Sequence, residues 1–190
     1  MKYRLPSLLV AIVLLFTTNI GVHAADFDIV IRNGRIVDGT GNPWSYGDLA
    51  IKDGRIAAVG RVDGKGDIEV DAAGLVVAPG FIDIHSHSDL KLLQDGRAQS
   101  KIRQGVTTEI LGEGGSAAPA TGARTPRSLE IDGKIQRWST FTEYFDLIDK
   151  QTSSVNIASY VGLGTVWECV MGNSFARPNE SQFSEMEQLI

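Results

Sequence analysis

Pro79-Gly80-Phe81-Ile82-Asp83-Ile84-His85-Ser86-His87 is the stretch on which the reading of the fold turns. Pro-Gly breaks whatever precedes it, and the alternation that follows predicts a β-strand. In a strand, side chains at i and i+2 share a face, roughly 6–7 Å apart. Phe81, Asp83, His85 and His87 therefore fall on one side, and Ile82 and Ile84 on the other. An apolar face suits covering helices, and a polar face ending in two imidazoles suits the rim where barrel enzymes place their chemistry. Imidazole nitrogen is a good ligand for Zn²⁺ and similar ions, so His85 and His87 are the first candidate metal ligands. A His-x-His pair alone is common at strand exits, so its surroundings decide its meaning.

Upstream, short apolar runs alternate with turn signals. Phe27–Arg32 leads through Asn33-Gly34 to Arg35–Val37, and Leu49–Lys52 leads through Asp53-Gly54 to Arg55–Val59. Asn-Gly and Asp-Gly between such runs are strong hairpin signals, because type I′ turns need positive φ at both central residues. Ile68–Val70 and Leu75–Ala78 add two strands around the turn at Asp71–Gly74, and no helical period is visible. Residues 25–79 are thus expected to form a small β-sandwich.

Downstream the pattern changes. A helix is expected over Arg97–Gln104, a strand over Val106–Leu111, a Gly- and Pro-rich stretch from Gly112 to about Ser139, and a helix over Thr140–Gln151. In that helix Phe141, Tyr144, Phe145 and Ile148 form a core stripe. A strand over Val155–Val161 and a helix over Glu180–Ile190 complete the series. Strands alternating with helices imply an α/β region with a parallel sheet across residues 80–190. Three βα units do not close a barrel of eight, so a longer protein is expected.

The first 24 residues read as a leader. Lys2 and Arg4 precede the apolar run Leu8–Phe16, and Val22-His23-Ala24 supplies small residues for cleavage after Ala24. The run is too short for a ~30 Å hydrocarbon core, so a cleaved signal and a secreted or periplasmic product are expected, with no stable membrane anchor. Loss of Lys2 and Arg4 from the 18 basic residues leaves 16 against 23 acidic ones, a charge of about −7. That balance argues against nucleic acid as a partner. His23 would leave with the leader, so the mature chain keeps two histidines, His85 and His87. Cys169, the sole cysteine, lies in an apolar run and reads as a small buried hydrophobe.

The block from Pro79 to His87, with the β-rich segment before it, resembles the signature that opens the barrel of the amidohydrolase superfamily. Gln104-Gly105-Val106-Thr107-Thr108, Ala158-Ser159-Tyr160-Val161-Gly162 and Val170-Met171-Gly172 are most similar to the D-aminoacylase branch (N-acyl-D-amino-acid deacylases). The resemblance implies a small β-sandwich followed by the first three βα units of a TIM-like (β/α)8 metal-dependent barrel. It implies one or two Zn²⁺ ions, an N-acyl amino acid substrate, and a general base and further histidine ligands beyond Ile190. Two departures stand out. D-aminoacylases carry Gly-Asn-Cys-Gly with the Cys as a ligand, whereas this chain reads Gly112-Glu113-Gly114-Gly115, and their Gly-His-Gly is Gly162-Leu163-Gly164 here. Glu113, one residue from the lost thiolate, is the expected substitute ligand. Asp83 and Asp89 are expected to support the histidines by hydrogen bonds. A cyclic amidase similar to dihydroorotase or dihydropyrimidinase is the second reading, and an inactive product or secreted binding module the third.

Overall fold

The computed structural model describes residues 25–190, and the chain divides into two units between Ala78 and Pro79. The expected leader at residues 1–24 lies outside the described residues.

The first unit is built around β1 (Phe27–Ile36). β1 pairs antiparallel with β2 (Ser45–Lys52), which pairs antiparallel with β3 (Arg55–Gly60). On its other edge β1 takes β4 (Gly66–Asp71) and then β5 (Val76–Val77), both parallel. The order is β3-β2-β1-β4, with β5 beside the far end of β1. All five strands therefore join one sheet, and none is left for a second layer. A two-layer sandwich is not what the described residues form. The small core is Val30, Ala50 and Val62, with Phe27 and Ala58 against it.

Asp53-Gly54 makes the expected tight turn, with φ of +51° and +69°. Asn33-Gly34 does not. β1 runs straight through it with a register shift against β2. Asn33 takes the left-handed conformation (φ +61°), donates its side-chain amide to Asp71, and gives its backbone N–H to Asp48. Neighbours on both sides thus hold the pair as a bulge. A Cβ on Gly34 would lie 2.5 Å from Val77 Cγ2, so glycine is needed there for close approach.

The second unit begins with β6 (Phe81–Asp83), α1 (Asp89–Gln94) and α2 (Gln99–Ile102). β7 (Val106–Leu111) follows, then the hairpin of β8 (Arg127–Ile131) and β9 (Lys134–Trp138). α3 (Phe141–Gln151), β10 (Asn156–Ser159), α4 (Leu163–Met171) and α5 (Glu180–Glu187) complete it. β6, β7 and β10 form a parallel sheet in chain order with β7 central, a mixed α/β arrangement. The helix expected over 97–104 shortens to α2, because Ala98 before it is left-handed (φ +44°). The stretch from Gly112 to Ser139 is not structureless. Asp132-Gly133, with φ of +50° and +73°, turns β8 into β9 by the same device as Asp53-Gly54.

The core of this unit gathers Leu92 and Leu93 from α1, Leu111 from β7, Ile131 and Trp138 from the hairpin, Tyr144 and Ile148 from α3, and Val155. Thr140 caps α3 in a reciprocal box with Glu143, which fixes the face that α3 turns inward. Trp138 donates its indole N–H to the Ala117 carbonyl (3.0 Å), and Tyr144 its hydroxyl to the Asp89 carbonyl (2.9 Å). No helix among the described residues is long and apolar enough to cross a membrane.

Trp138 is buried at the junction of the hairpin and α3, whereas Phe175 is 96% exposed. Trp138→Ala is expected to cost about 3–5 kcal/mol of unfolding free energy in urea titration. Phe175→Ala is expected to stay within about 0.5 kcal/mol.

Candidate metal centre

β6 ends two residues earlier than its alternation suggests. The Asp83 carboxylate accepts the His85 backbone N–H (3.1 Å), which bends the chain at Ile84 and His85. Ser86 N–H then returns to the sheet and donates to the Ile110 carbonyl on β7 (3.2 Å). His85 and His87 thus leave a short connecting segment rather than a strand face. Ile82 and Ile84, expected to face helices, are exposed, and Ile84 lies beyond the end of β6.

The bend still brings the two imidazoles together. Their Nε2 atoms are 3.1 Å apart and the rings meet edge to face, with centroids 5.0 Å apart. Two Zn–N bonds of 2.0–2.1 Å at a tetrahedral angle separate their nitrogens by about 3.3 Å. The pair therefore fits a single ion with little adjustment. Among the described residues no group of three or more His, Cys, Asp or Glu side chains converges as a ligand set.

Glu113 does reach the histidines, from behind. Its Oε2 lies 2.6 Å from His85 Nδ1, the nitrogen turned away from His87. A carboxylate there fixes the tautomer and leaves the Nε2 lone pair for a metal. Glu113 is placed by backbone packing. The loop after β7 meets the loop after β10 so closely that a Cβ on Gly162 would lie 2.8 Å from the Gly112 carbonyl oxygen. Gly164 N–H donates to the Gly114 carbonyl (2.7 Å). Ser116 seals the junction by donating its N–H to Thr165 Oγ1 (2.8 Å) and accepting Gly162 N–H (3.0 Å). The two sequence departures therefore lie against each other, one glycine loop on the other.

Of the two supporting aspartates, Asp83 also receives Lys101 Nζ at 2.5 Å. Lys101 and the His85 N–H hold its carboxyl below the ordinary range, and Asp83 in turn raises Lys101. Asp89 contributes its carbonyl, to Tyr144, rather than its side chain. Cys169 is buried in α4, its thiol 3.5 Å from the Pro119 carbonyl oxygen.

Four residues of this site are not singled out by sequence reading. Glu109 on β7 is fully buried and accepts hydrogen bonds from the hydroxyls of Ser86 and Ser88. Lys101 lies 3.6 Å from the same oxygen of Glu109 and 3.2 Å from Ser86 Oγ. The signal was an acid in the middle of a β-branched run, which demands a partner when buried.

Residues 69–132, which include all of these groups except those after β9, match the model of the amidohydrolase family. The chain is 36% identical over 167 residues to a D-aminoacylase of Alcaligenes xylosoxydans xylosoxydans, covering 86% of this chain and 34% of that protein. An N-acyl-D-glutamate deacylase of Bordetella bronchiseptica, solved with zinc and a phosphonate inhibitor, superposes with a TM-score of 0.74 at 36% identity, over 86% of this chain and 35% of that one. A D-aminoacylase solved to define the role of its binuclear metal centre matches with a TM-score of 0.73 at 34% identity, with the same coverage. The chain spans about a third of the length of these relatives.

Because the folded Asp83 carboxyl is depressed, its tie to Lys101 is fully present above the unfolded aspartate pKa of about 3.9. It is lost as pH falls through the folded value. Melting temperatures of wild type and Asp83→Asn are therefore expected to differ at pH 7 and to converge as pH falls below the ordinary aspartate range.

Proposed function

We propose that this amidohydrolase domain, related to D-aminoacylases, provides the metal-binding edge of an enzyme that hydrolyses the linear amide of N-acyl-D-amino acids. The reading rests on one observation above the others. Two imidazole nitrogens stand 3.1 Å apart at the end of a parallel strand, in a chain whose relatives are deacylases of this kind. His85 and His87 hold the ion through Nε2. Glu113 is the carboxylate of the centre, seated on Nδ1 of His85, in place of the thiolate that Gly114 cannot supply.

Zinc bound there supplies a Lewis acid for the amide carbonyl and lowers the pKa of water. The chain's own residues present the ring nitrogens, exclude the wrong tautomer and hold the segment still. The reaction is assigned to a protein of the relatives' full length, with the general base and remaining ligands on other strands. Further strands of such a protein would complete the barrel and lay a second sheet on the apolar face around Ile68 and Val70, which is exposed here. Residues 1–24 support export of that protein.

The test is an assay of the intact protein on N-acyl-D-amino acids, their L-enantiomers and a hydantoin. The expected result is hydrolysis of the D-substrates, lost on chelation and restored by Zn²⁺. His85→Ala and His87→Ala are expected to lose more than the ~10–100-fold that a supporting residue contributes, with Glu113→Gln inside that range. Turnover of the hydantoin alone would assign the protein to the cyclic amidases instead.

A further inference from the structure

In the segment His85-Ser86-His87-Ser88 the residues alternate between two directions. The histidines point outward, with the His85 side chain 60% exposed, and Ser86 points inward, 3% exposed. β6 stops at Asp83 and α1 starts at Asp89, so neither a strand ladder nor a helix holds this segment. It is held by the Ser86 N–H bond to Ile110, by Asp83 on the His85 N–H, by Glu113 on the His85 ring, by Lys101 on Ser86 Oγ, and by Glu109, which takes the hydroxyls of both serines.

Glu109 is opposite Asp83 in the β6–β7 pairing, on the strand beside the histidine segment. A single oxygen, Oε2, accepts both serine hydroxyls, which are themselves 3.0 Å apart. Ser88 occupies the N-cap of α1, where a serine oxygen ordinarily accepts a helix N–H. Here it makes no cap bond and is committed to Glu109 instead. Oε1 of Glu109 is buried with no hydrogen-bond partner. A fully buried carboxyl with one oxygen idle, on a strand position that an apolar residue would fill at less cost, is poorly explained by stability alone.

We propose that Glu109 is the positioning residue of the metal centre: by fastening Ser86 and Ser88 from the neighbouring strand, it fixes the backbone between them and so the approach of His85 and His87 to one ion. The proposal rests on the metal-centre reading given above. Lys101 braces the same clasp, between Asp83 and Ser86. Glu109 touches neither ion nor substrate, and acts through the two serines.

The test is Zn²⁺ affinity of the intact apo-protein, measured by competition with a chromophoric chelator, alongside its melting temperature. Glu109→Met fills the same space without accepting a hydrogen bond, and is expected to weaken zinc by about 10–100-fold. Glu109→Gln keeps an acceptor oxygen, and is expected to stay within roughly threefold of wild type. Should Glu109→Met not fold, the double variant Ser86→Ala/Ser88→Ala removes the same clasp from the other side and is expected to show the same loss. Wild-type zinc affinity in the folded Glu109→Met or double-serine protein, with affinity lost in His85→Ala, would overturn the positioning role and leave the metal centre standing. Wild-type affinity in His85→Ala as well would overturn both.

Discussion

The parallel pairing of β6 with β7 is the constraint from which the rest of the site follows. It sets Asp83 beside Glu109 and continues past the end of β6 through Ser86 N–H and Ile110. One register therefore decides three things: which acid lies under the histidine segment, how far Lys101 must reach, and where the loop carrying Glu113 emerges. A slip of one residue would turn Glu109 to the opposite face and leave the serines without an acceptor. Leu111, two residues on and on the same face of β7 as Glu109, is buried in the core with Trp138 and Tyr144 and anchors that register.

A carboxylate, and no sulfur among the described residues, stands beside the histidine pair. Gly114 and its neighbours let the loop after β7 lie directly on the loop after β10, and that contact carries Glu113 to His85. Cys169 takes no part, being buried in α4 against Pro119. The proposed centre therefore has two imidazole nitrogens facing each other and a carboxylate on the outer nitrogen of His85. Glu113, expected at the ion, lies against Nδ1 of His85, on the far side of the ring from the Nε2 pair.

Much of this was legible in the sequence because it depends on local signals. The apolar stripe of α3 and the turn at Asp53-Gly54 are each written within a dozen residues, and the α/β alternation is a series of such local patterns. Asn33-Gly34 carried the same turn signal yet became a bulge, because Asp48 and Asp71 on neighbouring strands compete for its polar groups. Asp132-Gly133 carried it too, in a stretch whose glycine and proline content masked the strands on either side. Where β6 stops was decided by one side chain, Asp83, taking the amide of His85. Glu109 was invisible for a different reason: its role exists only through residues 21 and 23 positions away.

The central claim is that His85 and His87 together hold a divalent ion in a centre without sulfur. X-ray absorption at the zinc edge of the metal-loaded protein addresses it most directly. The account predicts a first shell of nitrogen and oxygen at about 2.0–2.1 Å with the outer-shell pattern of imidazole. A sulfur scatterer at about 2.3 Å, or a shell unchanged when both histidines are replaced, would contradict it.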